Sequence, residues 1–298
     1  MRATHDVGRA QLPARGVRRD DGVRKALAWA GAYGVLTAIS LVMLAPFLWM
    51  LSTSFKEPQA IFTYPPQLFP TTFKWQNYAD VFSLIPFERF YWNSVYISFL
   101  VVAGTVFFAS LAGYAFAKIP FSGRNAVFLV LLSAMMIPHE VTAIPMFLFM
   151  RDLNWIDTHL PLILLPIFGA GGVFGIFVMR QFFITVPTEL EEAAMIDGCN
   201  RFRIYAQIML PIAKPGLATL TIFTFVTVWN EFFDPLIFIN TCELMTLPLG
   251  LSLFTDEVGT AWHHLMSATV MATVPLLIVF FMAQKRFIEG VAMTGLKE

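Results

Sequence analysis

The chain is short of charge. Only 13% of its 298 residues are Asp, Glu, Lys or Arg, about half the share carried by a soluble globular domain. That is too little polar surface to coat a water-facing globule. Cysteine is nearly absent, with Cys199 and Cys242 alone, which excludes a disulfide-stapled scaffold and a thiolate metal cluster. Basic and acidic residues balance at 20 each, so no net positive field points to nucleic acid. No GxxxxGK[ST] string occurs, so the chain shows no phosphate cradle of its own for ATP. His139-Glu140 begins like a zinc-protease helix, but the second His of that motif would stand at position 143, which is Ala143.

What is present is apolar. Hydrophobic residues make up 57% of the chain and the mean hydropathy is +0.67. Six long apolar runs cover 27–50, 93–117, 126–150, 160–179, 216–239 and 265–283. Each is close to the 17–25 residues that a bilayer-spanning helix needs. The expectation is an all-α membrane protein with six transmembrane helices, embedded in the cell membrane and contacting its lipid. The first run is too long for the apolar part of a cleaved signal peptide, about 7–15 residues, so it is read as an uncleaved span. Residues 1–26 then form a basic tail, 27–283 a single membrane domain and 284–298 a second tail. Sixteen Lys and Arg fall in segments 1–26, 118–125, 180–215 and 284–298, against Lys56, Lys74, Arg89 and Arg151 in the others. By the positive-inside rule this puts both termini and the 180–215 loop in the cytoplasm.

Polar residues inside apolar runs mark candidate sites. Asn230, Glu231 and Asp234 close the fifth run, followed by Pro235. Intramembrane carboxylates are costly and usually face a bundle interior or a watery cavity. Asn230 and Asp234 would share a helix face at i, i+4, and the three are candidate linings of a solute path. The alternative is a helix end already in water. In the third run, Pro138-His139-Glu140 reads as a kink with a polar pair near the end of one span. Gly171 and Gly175 form a small-xxx-small pair that lets helices approach closely in lipid. Phe73 to Phe82 reads as an aromatic-anchored interfacial helix.

The 188–211 stretch is a polar, helix-forming island. Thr188 and Glu191 stand at capping-box spacing. Gly198 sits where a helix ends most easily in a left-handed residue. Asn200 can cap a second helix over 201–210, which Pro211 would stop. Phe202, Tyr205 and Met209 give that helix an apolar stripe.

Glu192-Ala193-Ala194, then Asp197-Gly198, Phe202, Ile208, Leu210 and Pro211 resemble the "EAA" loop of permease subunits of ATP-driven importers. The resemblance extends over nearly all of 27–298 to carbohydrate importers of the maltose type. It implies a MetI-like permease bundle with a cytoplasmic coupling helix, in which those nine residues dock on an ATPase dimer. It further implies a second, related permease, an extracytoplasmic substrate-binding protein, and no cofactor or catalytic residue in this chain. Glycerol 3-phosphate and glycerol phosphodiesters remain alternative substrates within the family. A different class, an ion-coupled secondary transporter, would use Glu140, Glu231 and Asp234 at broken helices.

Overall fold

The computed structural model describes residues 19–256 and 259–295. Most of the expected 1–26 tail and the end of the 284–298 tail lie outside the described residues. Two compact units are present, Met1–Met50 and Leu51–Glu298. The first is carried by helix α1 (Arg19–Ser54), which contains the first apolar run and an internal Pro46.

The second unit opens with a one-turn helix α2 (Pro58–Ile61) and α3 (Gln76–Leu84). The bundle then runs through α4 (Phe87–Lys118), α5 (Arg124–Ala134), α6 (His139–Asp152), α7 (Leu160–Phe168) and α8 (Ala170–Ile184). A connecting segment holds α9 (Glu189–Ile196), α10 (Arg201–Ile204), a π-helical turn (Tyr205–Met209) and α11 (Leu210–Ile212). It leads into α12 (Lys214–Trp229), α13 (Phe233–Phe238), α14 (Leu247–Leu251) and α15 (Trp262–Gly295). A two-residue antiparallel ladder, Thr255–Asp256 with Gly259–Thr260, is the β structure among the described residues.

Among the described residues, four helices are long and apolar enough to cross a membrane, or up to six spans when two bent pairs each count as one. The first of these bends corrects an expectation. The third run is not one kinked helix: α5 and α6 meet at 93°. At about 1.5 Å per residue, the 11 residues of α5 rise only about 16 Å, half a bilayer core. The second bend, 78° between Arg201–Ile212 and Lys214–Trp229, lies just before the fifth run.

α4 forms the centre of the second unit, packed on α7, α8 and α12. In lipid, helices gain little from hiding apolar surface, so small residues and interhelical hydrogen bonds decide where they meet. Gly113 is one such contact: a Cβ there would lie 2.6 Å from the Met179 Cβ and 2.9 Å from the Arg180 nitrogen. Gly175 is another, where a Cβ would lie 2.8 Å from the Ala109 Cβ. Its expected companion Gly171 instead sits against its own preceding turn, facing the Pro166 carbonyl oxygen. Asn93, Ser94, Ser98, Thr105 and Ser110 place polar groups among the apolar residues of the buried face of α4.

The expected interfacial helix is α3. It is not a free surface element, since Val81 is fully buried, the helix packs on α15, and Asn77 Nδ2 donates to the carbonyls of Ser54 and Lys56 at 2.9 Å each. Phe73, Trp75 and Phe82 remain exposed, as aromatic anchors require. α15 continues as helix through Gly295, well into the expected tail.

Candidate functional site

Two regions concentrate the polar chemistry. The first is the island of α9 to α11, which lies against the end of the bundle where α4 finishes and α8 ends. Its corner forms as the residue types dictate. Gly198 adopts φ +83°, and the Asn200 side chain accepts from the Arg203 N–H at 2.8 Å, capping α10. The capping box does not form. Thr188 is itself helical and makes no side-chain cap bond, because Glu191 is turned inward and is only 3% exposed. There it lies beside the Tyr114 hydroxyl, which also interacts with Arg201.

The second helix does not run straight to Pro211. The π-turn at Tyr205–Met209 shifts the carbonyls that the proline ring would otherwise meet, so helix continues through Pro211 to Ile212. The turn also changes which side faces inward. Ile204, Tyr205 and Met209 are buried, whereas Phe202 is 66% exposed and leaves the expected stripe. The Tyr205 hydroxyl lies 2.7 Å from Ser110 Oγ, and Ser110 donates to the Phe107 carbonyl. Tyr205 is therefore the donor in the pair, and burial raises its pKa, which keeps the proton in place.

Of the nine loop residues singled out in the sequence, Ala194 is buried, and Ile208 and Leu210 pack on the same apolar cluster. Glu192, Ala193, Asp197, Gly198, Phe202 and Pro211 are exposed. Beside them Ile196 is 87% exposed. α9 thus has one face seated on the bundle and an opposite face that is acidic and apolar.

The second region is a cavity of about 470 Å³ at the break after α12. Residues 230–232 are not helical, so Asn230 and Asp234 do not share a face. Asn230 Nδ2 donates to the Val226 carbonyl of its own helix at 2.7 Å, and the residue is not part of the cavity wall. Glu231 is in the wall. Its Oε1 accepts from the N–H groups of Phe233 and Asp234 at 2.9 and 3.3 Å, where it caps α13. Pro235 stands in the first turn of α13, where its missing N–H is harmless. Asp234 is nearly buried, and its Oδ1 lies 2.7 Å from His139 Nε2.

The His139 pairing escaped sequence reasoning, because 95 residues separate the partners. The polar pair in an apolar run was the only signal. Glu140, Thr142, Thr227 and Thr246 complete the polar part of the wall. No group of three or more His, Cys, Asp or Glu placed to hold a metal ion occurs among the described residues.

A family model described as "Binding-protein-dependent transport system inner membrane component" matches residues 105–292. Over 281 residues the chain is 33% identical to the arabinooligosaccharides transport system permease protein AraQ of Halalkalibacterium halodurans, with 91% of this chain and 97% of that protein aligned. It is 32% identical over 282 residues to the trehalose/maltose transport system permease protein MalG of Thermococcus litoralis, covering 94% and 99%. Among solved structures, a chain of a bacterial ABC transporter involved in the import of the acidic polysaccharide alginate superposes with a TM-score of 0.71 at 24% identity, covering 93% of this chain and 100% of that one.

Proposed function

The chain belongs to the family of binding-protein-dependent transport system inner membrane components, and from that membership we infer that it is a permease subunit of an ABC importer for sugars or oligosaccharides. Its aligned relatives are named as permeases for arabinooligosaccharides and for trehalose or maltose, and the alignments run nearly end to end. The observation that carries the coupling role is the two-sided helix α9. Ala194 seats it on the bundle and the Tyr205–Ser110 bond anchors the segment that follows, while Glu192, Ala193 and Ile196 of α9 and Phe202 of α10 face outward. An exposed apolar face on a rigid, anchored helix suits insertion into a partner's groove.

In this reading the partner is an ATPase dimer on the cytoplasmic side, and 187–211 is the coupling loop. Both termini share that side. A second, related permease completes the path, and a binding protein delivers substrate to the opposite face. ATP-driven closure moves α9 as a lever. The bend between α11 and α12 carries the motion into the fifth span, whose far end forms the cavity with Glu231 and Asp234. Asn230 stands at the rim of that break.

The test is reconstitution. The complex purified through this chain in mild detergent should contain an ATPase, and in liposomes should import a labelled neutral oligosaccharide only with ATP inside and binding protein outside. Uptake driven by an ion gradient without ATP would replace this reading with a secondary transporter.

A further inference from the structure

The wall of the cavity at the α12–α13 break carries charge of one sign. Glu140, Glu231 and Asp234 contribute three carboxylates, and no Lys or Arg lines it. The one side chain able to become positive is His139, already bonded to Asp234. With His139 protonated, the carboxylates still outnumber it. The rest of the wall includes Ile97, Met146, Leu162 and Leu165, and such apolar walls focus the field rather than screen it.

The remaining groups suit hydroxyls. Sugar hydroxyls are donors, and carboxylates are acceptors. Phe233 offers a ring, with its centroid 5.9 Å from that of His139. Thr246 Oγ1 is buried and has no hydrogen-bond partner among the described residues, although Thr246 lines the cavity. A buried hydroxyl without a partner is unfavourable until a ligand or water satisfies it.

We propose that this cavity selects for uncharged saccharides and rejects saccharides bearing carboxylate, sulfonate or phosphate groups. The proposal rests on the sugar-importer reading above and narrows its substrate class. A negative group entering the cavity meets an excess of like charges, with His139 already engaged by Asp234, which costs specificity-determining free energy. A neutral sugar meets acceptors and an aromatic face. The selection is exerted in the path itself, independently of the delivering protein.

The test uses the assembled complex in nanodiscs without binding protein, so that the delivering protein contributes nothing. The probes are malto-, arabino- and chito-oligosaccharides of two to five units, each paired with its aldonate, in which the reducing end is oxidised to a carboxylate. Binding is measured by saturation-transfer NMR at neutral pH and low salt. The neutral member of a bound pair should bind at least about tenfold more tightly than its aldonate. The ratio should fall toward one in Glu140→Gln/Asp234→Asn, and partly in Glu140→Gln alone. The single change alters an exposed residue, so it remains informative should the double variant fail to assemble. Equal binding of a pair to the unaltered complex, or a ratio unchanged in Glu140→Gln, overturns the proposal while leaving sugar import standing. No binding of any pair, together with no ATP-driven saccharide uptake, overturns both.

Discussion

At Gly198 the backbone turns through φ +83°, and a Cβ placed there would meet no atom within 4 Å. The demand for glycine is therefore conformational and not a matter of space. A residue with a Cβ in this region is strained by roughly 1–2 kcal/mol, and a β-branched one by more. Gly198→Val should change the angle between α9 and α10 without touching the bundle. The expected outcome is normal membrane abundance, strongly reduced uptake and loss of ATPase stimulation by the binding protein. Gly198→Asn should keep much of both activities, since Asn tolerates the left-handed region. Wild-type stimulation in the Val variant would remove the coupling role from this corner. The corner was readable from Asp197-Gly198-Cys199-Asn200 because glycine and asparagine have few other reasons to stand there. The inward turn of Glu191 was not, since a Glu in the first turn of a helix ordinarily faces water.

At the scale of elements, loops hold the far end of the bundle together. Asn93 Nδ2 donates to the carbonyls of Glu243 and Met245 at 2.9 Å each, and Ser94 Oγ accepts from the Leu247 N–H at 2.7 Å. Asp157 pins the neighbouring strip. It accepts from the Thr241 hydroxyl at 2.6 Å and from the N–H groups of Thr241 and Asn240 at 2.8 and 2.9 Å. The Thr241 hydroxyl, followed by the two amides, holds the Asp157 carboxyl below its ordinary value. A depressed carboxyl stabilises the folded loop above its unfolded pKa, near 3.9, and that contribution is lost as pH falls through the lower, folded value. Hydrogen exchange should therefore find the Asn240 and Thr241 amides still protected at about pH 4 and released only in stronger acid. Asp157→Asn should show weaker protection throughout and no acid step. An acid step retained in the variant would assign it to another group.

At the scale of the whole molecule, the open question is orientation. The sixteen-to-four distribution of Lys and Arg assigns 188–211 and the 239–247 loop to opposite faces. Each face carries one of the two cysteines, and both are partly exposed. A membrane-impermeant maleimide should label Cys242 in right-side-out vesicles, and Cys199 only after permeabilisation. Labelling of Cys199 in sealed vesicles would invert the layout and overturn the coupling role proposed for 187–211.

The amino-acid sequence determined that the chain is helical with several apolar spans, because in a bilayer each backbone polar group must be satisfied within its own helix, and that demand is local. It also determined the Gly198 corner and the Asn200 cap, which involve a few adjacent residues. Only the tertiary structure decided the rest. The right-angle break between α5 and α6, the π-turn that admits Pro211 and the inward face of Tyr205 depend on what each segment packs against. The same holds for the cavity. Asp234 was visible as a costly carboxylate in an apolar run, but its His139 partner lies 95 residues earlier. Asn230, equally prominent in sequence, turns back to its own helix. Periodicity reports which residues can share a face along one helix, and pairing between two broken helices leaves no trace in it.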